Sequence, residues 1–181
     1  FLRNPVNWAL IFIFAIGLYY GILLALFTYN LVLWLTLRDA SYFWYLFHIT
    51  AFGLVLFTLN GLGFEYLWPN SAWLADHMVP LSICLALMGM QQFARTFLEL
   101  KQRWRFGDRI ALGIIVFFML LGIAATQLPY RTVVPLASAA VFPNICWILV
   151  ATVVVLRRGY KPARLFLLAW FLFLLGTGMF S

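Results

Sequence analysis

Charge is what this chain has least of. Only 9% of its 181 residues are Asp, Glu, Lys or Arg, while 66% are hydrophobic. A water-soluble domain needs about a quarter of its residues charged to cover its surface. The shortage excludes a water-exposed globule and calls for a lipid-facing one. Acids are scarcer still, 5 against 12 Lys and Arg, and the long apolar runs are nearly free of both. That disfavours an integral-membrane enzyme, which needs converging acid–base groups, and a transporter or channel, which needs charges inside its spans. Cysteine is equally sparse. Cys84 and Cys146 fall inside apolar runs and read as small buried hydrophobes, so no disulfide is expected. There is no phosphate-cradling glycine pattern, no HExxH and no CxxC, so neither cofactor nor metal is expected. A signal leader is also missing, and the chain opens on Phe1 rather than Met, which reads as a piece of something larger.

What is present is a series of apolar runs at about 8–37, 42–61, 77–97, 110–128, 133–156 and 165–181. Runs near 20 residues match the hydrocarbon core. The expected fold is therefore an all-α polytopic helical membrane bundle, six spans of a probable seven, without a soluble domain. The first run is longer than a core of roughly 30 Å requires, so it tilts or projects beyond the bilayer. Gly17 and Gly21 form a G-xxx-G pair that permits close helix approach. His48 is expected to hydrogen-bond within the bundle. Glu65, Asp76 and His77 read as solvated residues of the loop after the second run. Phe93 and Phe97 share a helix face, and Arg95 between them is expected to snorkel to the interface. Pro143 lies in mid-span and should kink its helix.

The basic residues give an orientation. Arg38 follows the first run. Arg95, Lys101, Arg103, Arg105 and Arg109 follow the third, and Arg157, Arg158, Lys161 and Arg164 follow the fifth. The alternate breaks hold only Arg3 and Arg131. By the positive-inside rule the rich side is cytoplasmic and the amino terminus outside. The net charge of +7 then reflects anchoring in the lipid bilayer, and no nucleic acid partner is expected. A seventh span would be needed to return the chain to the cytoplasm.

Several short motifs recur along this frame. Y-Y-G-I-L-L-A-L runs from Tyr19 through Gly21 to Leu26, with Tyr29-Asn30 soon after. L-R-D-A-S-Y, Leu37–Tyr42, holds Arg38, Asp39 and Tyr42, and Tyr45 follows. L-N-G-L-G-F-E-Y-L-W-P-N, Leu59–Asn70, holds Asn60, Gly61, Gly63 and Trp68. F-A-R-T-F-L starts at Phe93 and includes Arg95 and Phe97, and a weaker R-x-F-L-L-A-W runs from Arg164 to Trp170. In this order the chain resembles the membrane domain of bacterial seven-transmembrane receptors with diverse intracellular signalling modules. The resemblance implies a signal-transducing domain of the bacterial inner membrane. A periplasmic sensor domain would precede it and a cytoplasmic output module, of diguanylate cyclase or histidine kinase type, would follow. It also leaves a homodimer as a candidate assembly and implies no catalytic residue in this part of the chain.

On that view the polar residues inside apolar spans are the candidate contacts by which the bundle holds one packing or another: Asn30, Asn60, Gln91, Gln92 and Asn144. Pro143 is the candidate hinge. Asp39 reads as the cap of the second helix. Tyr19, Tyr20, Tyr29, Tyr42 and Tyr45 read as interfacial belt and core packing rather than as a pocket. The alternatives are a small membrane transporter or channel, and a structural membrane subunit.

Overall fold

Lipid offers no hydrogen-bond partner, so each apolar run must satisfy its backbone within itself. The structure, a computed structural model that describes residues 5–168, does so with helices. They are α1 (Pro5–Leu37), α2 (Ala40–Leu59), α3 (Ala72–Phe97), the single-turn α4 (Leu100–Arg103), α5 (Arg105–Ala125) and α6 (Tyr130–Arg157). A π-helical turn, Gly63–Leu67, lies between α2 and α3. Among the described residues there is no strand, and α1, α2, α3, α5 and α6 are long and apolar enough to cross a membrane. The protein is an all-α, multi-pass helical bundle. A further helical turn opens at 163–168. Arg3 and most of the last expected span, 165–181, lie outside the described residues.

The breaks between helices have local causes. Arg38 takes a left-handed φ of 50° and ends α1. Asp39 is extended, and its carboxylate accepts a 2.7 Å hydrogen bond from the Ser41 amide. It is the N-cap of α2, as its sequence context suggested. Gly61 (φ 78°) and Gly159 (φ 91°) end α2 and α6 in the conformation that glycine adopts without a Cβ clash. Glu99, at φ 50°, turns the chain out of α3.

Three sequence expectations are corrected here. Asp76 and His77 are not loop residues. Ser71 caps α3 through its Oγ, 3.4 Å from the Leu74 amide, so that helix opens at Ala72 and includes both. Glu65 lies in the π-helical turn rather than an irregular loop. Arg105 and Arg109 belong to α5, which begins within the basic stretch.

α3 is the central helix, packed against α2, α5 and α6, whereas α1 packs against α2. The interior is layered along α3. Leu87 groups with Phe118 and Leu121 of α5 and with Ala137 of α6. Farther along, Met90 and Ala94 meet Ile148. Beyond the end of α3, Leu98 and Leu100 pack with Ala111, Ala151 and Val155. The outward faces stay apolar and exposed, including Phe14 and Leu24 of α1, Met119 of α5 and Phe142 of α6. That is the surface lipid requires. Gly17 and Gly21 have no atom within 4 Å of where a Cβ would stand. Their G-xxx-G spacing therefore makes no close helix approach among the described residues.

Candidate functional site

The densest polar construction lies at the Arg-rich end. Glu99 and α4 fold the chain back on itself, which brings the last turn of α3 opposite the first turn of α5. Arg95 and Asp108 meet there as a fork, Nε to Oδ1 at 2.5 Å and Nη2 to Oδ2 at 3.3 Å, with side chains 19% and 11% exposed. Arg95 also donates to Gln92 Oε1 at 3.4 Å. Arg95 therefore has a partner within the bundle. A carboxylate within reach satisfies the guanidinium where it lies. Asp108 is a residue that the sequence reading missed. Its signal is its isolation, a single acid between Arg105 and Arg109 in the first turn of a helix, where the dipole favours a negative charge.

Around this pair the end is tied further. Arg103 bridges to Glu99 at 2.7 Å and lies 4.1 Å over the Tyr160 ring. The Tyr160 hydroxyl donates to the Phe97 carbonyl at 3.2 Å. Burial pushes the Tyr160 hydroxyl pKa up, the carboxylates of Glu99 and Asp39 push the same way, and Arg103 opposes them. Arg158 donates to the Arg103 carbonyl and lies over Trp104, which stacks on Trp147 with ring centres 5.5 Å apart. Arg95, Arg103 and Arg158 thus join α3, α4, α5 and the end of α6. Arg38, Lys101, Arg105, Arg109, Arg157, Lys161 and Arg164 remain exposed on the same end. Its acids are engaged: Asp39 as a cap, Glu99 and Asp108 in ion pairs.

The polar residues within the spans are not brought into one network. Asn30 donates to its own helix at Leu26 O, 2.8 Å. Asn60, at the far end of α2, donates to the Tyr20 hydroxyl of α1 at 3.1 Å. Gln92 accepts from Arg95. Gln91 Oε1 and both polar side-chain atoms of Asn144 are buried without a protein partner among the described residues. Pro143 sits within α6, which continues through it. His48 does bond within the bundle, Nδ1 to the Ala86 carbonyl at 2.9 Å, and so ties α2 to α3.

The tyrosines do not converge either. Tyr19 packs edge-on to Tyr20, Tyr20 to Phe57, and Tyr45 lies 5.2 Å from Phe93. Tyr29 is exposed and Tyr42 half-buried. Phe93 and Phe97, 5.6 Å apart, do share a face. They line a mostly apolar groove of about 590 Å³ between α2 and α6, with His48 and Met90 among its walls. At the opposite end Trp68 is buried against Gly63, where a Cβ would come within 2.5 Å of the indole. His77 stacks on Trp73 there, and among the described residues no acid joins it in a metal-binding group.

No curated protein and no solved structure matches the chain. A family model does: residues 12–181 match 7TM diverse intracellular signalling, and the chain belongs to that family as the membrane-spanning domain of a receptor.

Proposed function

We propose that this bundle carries a signal across a bacterial inner membrane, from a periplasmic sensor domain to a cytoplasmic output module of the same chain, of diguanylate cyclase or histidine kinase type. The Arg-rich end is the cytoplasmic one, because short loops rich in Lys and Arg are retained inside. The bundle itself has no catalytic role in this reading. It works by packing.

One contrast carries the proposal. At the Arg-rich end one ion pair joins α3 to α5, a second closes the turn of α4, and a cation–aromatic contact and an indole stack link that turn to Tyr160 and to α6. At the other end α1 reaches α2 through Tyr20 and Asn60. In the hairpin that meets the outside, α1 is held lightly, by α2, and the end that meets the output is held as a unit. A displacement of the hairpin is passed through α2 to α3 by His48 on Ala86. Asn30, Asn60, Gln91, Gln92 and Asn144 are the contacts to exchange, and Pro143 is the hinge.

The test is basal output of the full-length receptor carrying Asn60→Leu or Pro143→Ala. Either substitution is expected to shift output several-fold at unchanged protein level. Unchanged output from both sinks the switch. Orientation has its own check, with Lys101→Cys and Asp76→Cys in a chain lacking Cys84 and Cys146. A membrane-impermeant thiol reagent added outside should label the second and not the first.

A further inference from the structure

Among the described residues, four side chains have buried polar atoms that no protein group satisfies: Trp68 Nε1 stands apart beyond α2, while Gln91 Oε1, Asn144 Oδ1 and Nδ2, and Trp147 Nε1 lie on α3 and α6. Gln91 and Asn144 are 1% and 2% exposed. Gln91 and Asn144 each stand between the same two layers of the interior. On α3, Gln91 lies between Leu87, whose cluster includes Ala137, and Ala94, whose cluster includes Ile148. On α6, Asn144 stands between those same two partners, and Trp147 is one turn along the helix. An unsatisfied buried polar group costs about 1–3 kcal/mol, and in lipid it has no bulk water to turn to.

We propose that ordered water occupies this junction of α3 and α6, bridging Gln91 to Asn144. The orphaned atoms of α3 and α6 comprise two acceptors, the amide oxygens, and two donors, Asn144 Nδ2 and Trp147 Nε1. One water molecule offers the complement, two O–H donors and two acceptor lone pairs, and buried waters typically make about three hydrogen bonds to groups of this kind. A cation does not fit. It would meet neutral amide oxygens without a carboxylate, since Asp108 is committed to Arg95, and an uncompensated charge in a low-dielectric interior is far costlier than a neutral guest. The inference goes beyond the signalling reading and stands without it. Its consequence is that α6, with Pro143 adjacent, meets α3 through exchangeable hydrogen bonds at this level rather than fixed ones.

The experiment uses the chain in lipid nanodiscs, with Gln91→Leu, Asn144→Leu and the double variant compared by thermal unfolding. Each single leucine removes one anchor of the water and is expected to lower Tm by about 2–4 °C, and the double variant should recover most of that loss. Singles that raise Tm additively overturn the proposal, because they mean that the amides were merely unsatisfied. Magnetisation transfer from water to the Asn144 side-chain amide protons, assigned by their loss in Asn144→Leu, supplies the direct reading and does not depend on any variant's stability. A cross-peak at the water frequency is expected. Its absence, even with coupled leucine effects, overturns the proposal in favour of a direct amide–amide bond.

Discussion

α1 and α3 are both apolar enough to cross a membrane, yet 6% of the α1 window is buried against 44% of the α3 window. Among the described residues the more uniformly apolar helix is the peripheral one. α3 carries Ser82 and Gln91 together with the small residues Ala86, Gly89 and Ala94, all of them buried, and Arg95 reaches α5 through Asp108. In water the most apolar segment goes to the centre. In lipid the tails are as apolar as leucine, so helices associate through close van der Waals packing and polar contacts instead. α3 is central because it supplies both, and α1 is peripheral because its surface is as well served by lipid as by protein.

The sharpest way to break this comparison is at the Arg95–Asp108 pair. Asp108→Ala leaves a guanidinium mostly buried and unpaired, and should cost about 3–5 kcal/mol of stability. The double variant Arg95→Leu/Asp108→Leu removes both charges and should regain most of that loss. Thermal unfolding in nanodiscs reads both. If Asp108→Ala is as stable as the parent, α3 is not fastened to α5 by this pair.

A smaller effect separates the two helices directly. A Cβ at Gly89 of α3 would stand 2.6 Å from Phe47 and 3.2 Å from the His48 backbone, whereas one at Gly17 of α1 meets nothing within 4 Å. Overpacking costs about 1–3 kcal/mol, and replacing a helical glycine with alanine returns at most ~1 kcal/mol. Gly89→Ala should therefore lower stability, while Gly17→Ala should leave it unchanged or raise it slightly. Equal effects at the two sites would remove the distinction between a packed and a lipid-facing helix.

The same contrast explains what could be read from the sequence. The helical membrane fold was legible because lipid forces every long apolar run to satisfy its own backbone, a constraint local to the run. The cap at Asp39 was legible for the same reason, since donor and acceptor are two residues apart. The partner of Arg95 was not, because it depends on Glu99 and α4 reversing the chain. Gly17 and Gly21 permit a close approach that no helix among the described residues makes. The start of α3 was displaced because Ser71 caps it upstream of where the hydropathy rises. Gln91 and Asn144 stood out as polar residues in apolar runs, but hydropathy carries no record of which helix each one faces.

The smallest expected effect is at Tyr160, where the chain beyond α6 is tied back to the last residue of α3. Tyr160→Phe removes the hydrogen bond to the Phe97 carbonyl, a loss of about 0.5–1.5 kcal/mol at neutral pH. The hydroxyl also titrates higher in the folded chain than the ordinary tyrosine value of 10.0, chiefly through burial. Below that value both folded and unfolded chains hold the proton, and the contribution of Tyr160 is complete. As pH rises above it the unfolded chain releases its proton first, so the folded state loses stability until Tyr160 itself ionises. The parent protein should therefore lose Tm more steeply than Tyr160→Phe as pH is raised through 10.0. Parallel slopes would show that Tyr160 is not held at the end of α3, and that the tying of the Arg-rich end stops at Arg158.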